Sequence, residues 1–132
     1  EQKYRIDSSQ RILIGHSAGA TAVYYITFRH APPEPPLFSA AIAADNGIEE
    51  GFFTVERWHA ERTNSLPMKL FTTRALWNGA VQEITYRALV DRISGRHYQG
   101  LSFAEETLDT DHGGAIRPSV DHGLSFIFGG SK

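Results

Sequence analysis

The feature that most restricts how this chain can fold is a turn sequence, Gly-His-Ser-Ala-Gly, at residues 15–19. It follows a short apolar run at residues 11–14, which predicts a strand buried on both faces. It precedes residues 18–28, which predict a helix that begins with small residues. A strand that turns directly into a helix strains the residue at the turn, so we expect an unusual backbone at Ser17. Glycine on both sides removes Cβ atoms that we expect to collide with the strand and the helix.

The rest of the chain alternates between apolar runs and helical patterns. Three further runs predict strands, at residues 38–44, 67–73 and 98–106. Helical patterns lie at residues 49–62, 81–93 and 118–128, and in the second of these Ile84, Leu89 and Ile93 are expected to face inward. Strands separated by helices require crossover connections, which produce a mostly parallel sheet. The sequence therefore predicts an α/β fold, with functional groups in the loops at the carboxyl ends of the strands.

Composition excludes several classes of protein. The 132 residues are 41% hydrophobic, which is enough for one compact domain. Thirteen basic residues against 15 acidic ones argue against a nucleic-acid binder, which needs clustered positive charge. The longest uncharged stretch, residues 12–28, is shorter than the roughly 20 residues of a membrane helix and is interrupted by Gly15, so we expect no membrane span.

The residue inventory also limits the chemistry. The absence of cysteine excludes disulfides, thiolate metal sites and cysteine nucleophiles, but it leaves the cellular compartment open. No histidine pair has ligand spacing on a predicted helix, and no phosphate-binding glycine-rich motif occurs. We therefore expect neither a metal nor a cofactor.

The turn at residues 15–19 presents a hydroxyl suited to nucleophilic attack. In such a turn the Ser17 side chain is lifted out of the sheet at the positive end of the following helix. The backbone N–H of Ala18 is then expected to point to the place where an oxyanion would form. A glycine-rich turn with an incidental serine is the alternative for the bare pattern. The predicted strand before it and helix after it favour the nucleophile.

An activated serine needs a base, and in this arrangement the base is a histidine further along the chain. His112 lies in the loop after the last predicted strand, where two following glycines would let the imidazole bend back over the sheet edge. We expect the side chain of His16 to support the turn rather than take a proton. Three other histidines are predicted to be surface or packing residues: His59, His97 and His122.

The sequence resembles the esterase branch of the α/β-hydrolase superfamily, which includes enterochelin (siderophore) esterases and esterase-D-like enzymes. The segments that carry the resemblance are residues 3–7, 11–20, 37–43, 111–114 and 123–128. It implies that residues 1–132 correspond to the C-terminal half of an α/β-hydrolase domain, from the nucleophile turn to the terminal helix. It also implies cleavage of a small-molecule carboxylic ester, with Ser17 as nucleophile, His112 as base and the Ala18 N–H as oxyanion donor.

The chain departs from that family at the position of the catalytic acid. The family usually has an acidic residue after the third of these strands, but residues 74–80 contain no carboxylate. Asn78 would orient a histidine without stabilising its cationic form as an anion does. Asp45, after the second strand, is a replacement from a neighbouring loop, and a bare Ser–His dyad is the third alternative. Asp111 adjoins His112 in sequence, and adjacent side chains seldom achieve the required in-line bond.

The resemblance also leaves out the first half of the family's fold. That half supplies a second oxyanion N–H and the sheet neighbour for residues 11–14. We therefore expect a longer functional protein, or a second chain that completes the sheet. Two other functions fit the same sequence. One is a catalytically dead interaction domain, favoured by the missing acid, and the other is acyl transfer to an alcohol by the same serine and histidine.

Overall fold

A four-stranded parallel sheet organises the molecule, with strand order β1-β2-β3-β4. A computed structural model of the protein describes residues 5, 7–30, 36–45 and 50–129. The strands are β1 (Ile12–His16), β2 (Ala40–Ala44), β3 (Lys69–Ala75) and β4 (Ser102–Leu108). The helices are α1 (Ala18–Phe28), α2 (Glu50–Ala60), α3 (Ala80–Arg96) and α4 (Ile116–Phe128), with short 3-10 helices at Ser8–Gln10 and Leu76–Asn78. The predicted α/β fold with a parallel sheet is confirmed.

The strands are aligned so that their carboxyl ends lie at one edge of the sheet. Ile12 of β1 lies opposite Ala40 of β2, and Lys69 of β3 lies opposite both Ala40 and Ser102. Because the connections between parallel strands cross the faces of the sheet, each strand runs in the same direction as its neighbour. The residues that follow all four strands are thereby gathered in one region.

Two cores lie on opposite faces of the sheet. Alternate residues of β2 separate them, since Ala41 belongs to the larger core with α1, α2 and α3, and Ile42 belongs to the smaller core with α4. Gly123 lets α4 approach the sheet closely, because a Cβ there would lie 2.6 Å from Ile42 Cδ1. This close contact fixes α4, and with it the loop that precedes the helix.

The element boundaries agree with the predicted ones to within four residues, and those of α1 (Ala18–Phe28) are as predicted. β3 and β4 start later than predicted, and Tyr98 is a buried core residue ahead of β4 rather than part of it. His97 ends α3 in a left-handed conformation, with φ of 51°, instead of opening a strand. Residues 3, 4 and 6 of the resembling segments, and residue 49 of the predicted second helix, lie outside the described residues.

Two predictions about burial are wrong. Ile84 is 68% exposed, because the inward stripe of α3 is formed by Tyr86, Leu89 and Ile93. Ile84 and Tyr86 are two positions apart in the sequence, which is about 200° around a helix, so the two side chains face opposite ways. β1 is half-buried rather than buried on both faces, and Ile14 is 45% exposed. The reason is that, in the part of the chain that the structure describes, β1 pairs with β2 alone.

No helix among the described residues is both long enough and apolar enough to cross a membrane.

Candidate active site

The turn between β1 and α1 has the strained backbone that the sequence predicts. Ser17 has φ of 58° and ψ of −123°, a conformation that non-glycine residues rarely adopt. Its N–H donates to Ala44 O at 3.1 Å, which ties the turn to the end of β2. Its carbonyl accepts from Ala20 N at 2.9 Å and from Thr21 N at 3.2 Å, which starts the helix. The turn is therefore held by main-chain hydrogen bonds on both sides.

The two glycines of the turn are not equivalent. A Cβ at Gly15 would lie 2.1 Å from the carbonyl oxygen of Gly19, so the strand and the helix can approach only if residue 15 has no side chain. A Cβ at Gly19 would meet nothing within 4 Å. The prediction that both glycines prevent a collision is right for Gly15 and wrong for Gly19, because the backbone of residue 19, rather than its Cβ direction, makes the close contact.

His112 and Asp45 form the closest side-chain pair of the site. His112 Nδ1 lies 2.6 Å from Asp45 Oδ2. Because a carboxylate oxygen only accepts, Nδ1 carries a proton, and in the neutral imidazole this leaves His112 Nε2 with a free lone pair. Asp45 is completely buried, whereas the His112 side chain is 48% exposed. The pair therefore consists of a buried acceptor and an imidazole whose other nitrogen is available to take a proton.

Neutral donors surround the Asp45 carboxylate. The Ala75 N–H donates to Oδ1 at 2.6 Å, and Asn78 Nδ2 lies 2.7 Å from both carboxylate oxygens. The backbone N–H of Asp45 donates to Thr73 Oγ1 at 3.1 Å. Asp45 itself has φ of 42°, so it is held in a left-handed conformation at the end of β2. These donors fix the carboxylate in the orientation that receives His112.

The three side chains considered for the acid, Asp45, Asn78 and Asp111, have different partners in the structure. Asp45 contacts His112, and Asn78 contacts Asp45 rather than the histidine. Asp111 Oδ1 instead accepts from the Gly114 N–H at 2.7 Å, which stabilises the loop turn. The position after β2 thus supplies the carboxylate, and the position after β3 supplies an amide that orients it.

His16 has a different place from the one predicted for it. Its Nε2 lies 2.9 Å from the carbonyl oxygen of His112, so Nε2–H is the donor. The two imidazole rings lie 4.4 Å apart between centroids, with an angle of 32° between their planes. His16 therefore supports the loop that carries His112 and not the turn that carries Ser17. The available signal was its position at the end of β1, on the same sheet edge as the other strand ends.

The loop that carries His112 is anchored to the end of β3 as well. Trp77 Nε1 donates to Asp109 Oδ1 at 3.0 Å, and the Trp77 N–H donates to Thr110 O at 3.2 Å. The indole is nonetheless 66% exposed. Trp77 thus holds the loop from its outer side while remaining accessible to solvent.

Ser17 and His112 share this sheet edge without a hydrogen bond between their side chains. Between the described side chains of Ser17 and His112 there is no direct hydrogen bond, and Ser17 Oγ does not cap α1. Such bonds are often absent without substrate and form in the reactive complex. Ala18 is the first residue of α1, so its N–H has no acceptor within the helix. The three predicted site residues therefore lie at one edge, with the Ala18 donor unused by its own helix.

The other histidines have structural positions, as predicted. His59 is buried between Phe28 and Tyr98, and its ring nitrogens contact backbone carbonyls. His122 is exposed on α4, where Nδ1 lies 2.8 Å from Glu106 Oε2.

Among the described residues, one cluster has metal-ligand chemistry: ligating atoms of His16, Asp45 and His112 lie within 4.8 Å of one another. His16 Nε2–H donates to His112 O and His112 Nδ1–H donates to Asp45, so one nitrogen of each ring is engaged in a hydrogen bond. In neutral imidazoles, His16 Nδ1 and His112 Nε2 are then the nitrogens that could ligate a metal ion.

Comparison with solved structures identifies the fold. The chain is similar to an IroE-like serine hydrolase from Shewanella oneidensis, with a TM-score of 0.74 and 19% identity, over 93% of this chain and 41% of that chain. It is also similar to the BES protein from Bacillus cereus, with a TM-score of 0.78 and 16% identity, over 96% of this chain and 48% of that chain. By sequence, neither a known protein family nor any curated protein matches the chain.

These likenesses establish the architecture of the chain. The two solved structures share the fold that the sequence resemblance predicts. The chain spans 41% and 48% of the two matched chains, so it corresponds to less than half of either. At 16% and 19% identity, the chemistry has to be argued from the residues of the site.

Proposed function

We propose that this chain carries the catalytic edge of a serine hydrolase that cleaves carboxylic esters of the siderophore-esterase kind. The observation that carries the proposal is the bond of 2.6 Å between His112 Nδ1 and the buried carboxylate of Asp45. It leaves His112 Nε2 as a base on the same sheet edge as the strained turn at Ser17. A hydroxyl after β1, an orienting carboxylate after β2 and an imidazole after β4 are the groups that this chemistry requires.

In the first half of the proposed reaction, Ser17 Oγ attacks the carbonyl carbon of the ester. The hydroxyl proton moves to His112 Nε2, the Oγ–C bond forms, and the carbonyl electron pair moves onto oxygen. The Ala18 N–H and the positive end of α1 stabilise that oxyanion. Asp45 stabilises the imidazolium that forms on His112.

In the second half, the tetrahedral intermediate collapses and the C–O bond to the alcohol breaks. The leaving alcohol takes the proton from His112 Nε2, which leaves an acyl group on Ser17. Water then attacks the acyl carbon and gives its proton to the same nitrogen. When the bond to Oγ breaks, that proton returns to Ser17 and the carboxylic acid is released. No cofactor takes part in this sequence.

We also propose that the rest of the sheet comes from another segment of the same protein or from a second chain. Within the described residues β1 has one strand neighbour and an exposed Ile14, and this chain spans only 41% and 48% of the two matched chains. An unpaired apolar strand edge is an unfavourable surface for a finished protein. The added part would supply the second oxyanion donor, so activity is to be measured in the complete protein.

Fluorophosphonate labelling and hydrolysis of a short-chain nitrophenyl ester test the proposal. We expect an adduct on Ser17 and a fall in kcat/KM of at least about 10³-fold in Ser17→Ala. Ser94→Ala removes an exposed serine of α3 and is the matched control, for which wild-type rates are expected. Equal hydrolysis by wild type and Ser17→Ala would contradict the proposal and favour an interaction domain. Transfer of the acyl group to added alcohol in preference to water would instead identify an acyltransferase.

A further inference from the structure

We infer that His16 is a positioning residue for the base, because it fixes the main chain of His112 to the strand that leads into the nucleophile. The inference rests on the proposed function, since it assigns a role within the same reaction. It adds a residue that neither touches the ester nor exchanges a proton with it. His16 acts through the place and the orientation that it imposes on His112.

The hydrogen bond between His16 and His112 has a defined direction. A carbonyl oxygen only accepts, so the distance of 2.9 Å from His16 Nε2 to His112 O defines an Nε2–H donor. His16 is the last residue of β1 and lies opposite Ala44 of β2, so its own backbone is fixed by the sheet. The donor is therefore a rigid point from which the loop is held.

Apart from the contact with His16, His112 is held at one point only. Its ring is tied to Asp45 through Nδ1, but its carbonyl has no hydrogen-bond partner other than His16 among the described residues. Gly113 and Gly114 follow it directly, and the loop from Asp111 to Gly114 is exposed. Glycine loses the most conformational freedom on ordering, so such a loop needs external contacts to keep one geometry.

The rings of His16 and His112 are also in contact. Their centroids lie 4.4 Å apart with an angle of 32° between the planes, so the His16 ring packs against the His112 imidazole and limits its movement on that side. Asp45 holds the ring at Nδ1 and His16 packs beside it, so Nε2 is left as the accessible position. Two strand ends thus set the direction of the basic lone pair.

The test separates the donor from the ring by three substitutions in the complete protein. His16→Gln keeps an N–H donor of similar reach, His16→Phe keeps a ring without a donor, and His16→Ala removes both. We expect kcat for ester hydrolysis to fall about 10- to 100-fold in His16→Phe and His16→Ala with little change in KM, because a small misplacement of a catalytic group has effects of that size. His16→Gln is expected to recover most of the loss. His122→Gln, a change on the exposed face of α4, is the control.

A second readout does not depend on hydrolysis. Nitrogen-15 NMR of the imidazoles reports the tautomer of His112 and the exchange rate of its Nδ1 proton with water. We expect that proton to exchange faster in His16→Phe than in His16→Gln or wild type. If the Ser17→Ala test removes the hydrolase proposal, this measurement still decides whether His16 orders His112. Wild-type kcat together with an unchanged His112 signal in His16→Phe would overturn the inference, and so would equal losses in His16→Phe and His16→Gln.

Discussion

Two fully buried carboxylates, Asp45 and Glu56, have environments that differ in charge. Glu56 on α2 receives hydrogen bonds from Arg96 at 2.7 Å, Tyr98 at 2.6 Å and Arg92 at 3.3 Å. Asp45 is contacted by donors that are neutral until its imidazole partner takes a proton. The charge of Glu56 is compensated permanently, whereas that of Asp45 gains a cationic partner only when His112 is protonated. Under the proposed function, the difference separates a carboxylate that stabilises the fold from one that favours a reaction step.

The pKa values at the Glu56 site follow from the same contacts. Burial opposes the ionised form of Glu56, but hydrogen bonds from Arg96 and Tyr98 hold its pKa below the ordinary value. Burial and the hydrogen bond to Glu56 raise the pKa of Tyr98, so its hydroxyl stays protonated and donates. Glu56 is therefore ionised throughout the pH range in which the protein is expected to work.

Backbone strain also distinguishes the site around Asp45 from the site around Glu56. Ser17 and Asp45 both have positive φ, whereas Glu56 lies within the regular helix α2. In the described part of the chain, the third non-glycine residue with positive φ is His97, at the end of α3. Strain of this kind costs about 1–3 kcal/mol at each residue and persists where the surroundings impose it. Its concentration at the end of β1 and β2 supports a functional role for that edge.

The largest expected effect is the loss of activity on substitution of Asp45. Asp45→Asn keeps the size and tolerates positive φ, but an amide cannot receive His112 Nδ1–H as the anion does. We expect kcat for ester hydrolysis to fall by about 10³- to 10⁴-fold, since the tautomer of the base is no longer fixed. The melting temperature serves as the control for folding. A loss smaller than tenfold would indicate a Ser–His dyad that works without the carboxylate.

The next largest expected effect is the loss of stability on substitution of Glu56. Glu56→Gln leaves Arg92 and Arg96 without their anion, so we expect the free energy of unfolding to fall by about 2–3 kcal/mol. Activity of the folded variant should stay at the wild-type level. Urea denaturation measures the free energy of unfolding, and ester hydrolysis measures the activity. Glu61→Gln changes an exposed glutamate just beyond α2, and an equal loss of stability there would refute the specific role of Glu56.

A smaller effect is expected at the amide that orients Asp45. Asn78→Ala removes a donor that lies 2.7 Å from both carboxylate oxygens, while the Ala75 N–H and His112 remain. We expect kcat to fall about tenfold, which corresponds to one hydrogen bond of roughly 1.4 kcal/mol. Asn64→Ala is the matched control, because this asparagine is exposed and lies away from the site. Unchanged kcat in Asn78→Ala would show that the carboxylate is oriented without the amide.

The smallest effect is the acid dependence of the Glu56 contribution. Its pKa in the folded protein lies below the ordinary 4.5, so the ionised carboxylate stabilises the fold above that value. The contribution is lost as pH falls through the folded pKa, by at most about 1.4 kcal/mol for each pH unit. The difference in unfolding free energy between wild type and Glu56→Gln should thus be constant above pH 4.5 and shrink below it. Urea titrations at several pH values measure it, and a difference that stays constant in acid would contradict the assignment.

The parts of this molecule that the sequence could predict are those with local causes. The strain at Ser17 follows from the strand, turn and helix that are adjacent in the chain, and the parallel sheet follows from their alternation. The choice between Asp45 and Asn78 could not be made, because it depends on how the loop from β4 crosses the strand ends. Both side chains occupy strand ends, and only the folded loop determines which one meets His112.

Burial was the other quantity that local patterns could not settle. The outward position of Ile84 depends on which stripe of α3 packs on the sheet, and the exposure of Ile14 depends on whether β1 has a second neighbour. Both are decided by partners distant in sequence. The same holds for His16, whose contact with His112 joins residues 96 positions apart.

The indole that anchors the His112 loop gives the protein an intrinsic optical reporter. The sequence contains two tryptophans, and the other one, Trp58, lies against Arg62 and makes none of the hydrogen bonds that anchor that loop. With Trp58→Phe, emission would come from Trp77 alone. Its ring nitrogen donates a hydrogen bond to Asp109, three residues before His112. Movement of the loop during turnover would then change the fluorescence directly, without any attached dye.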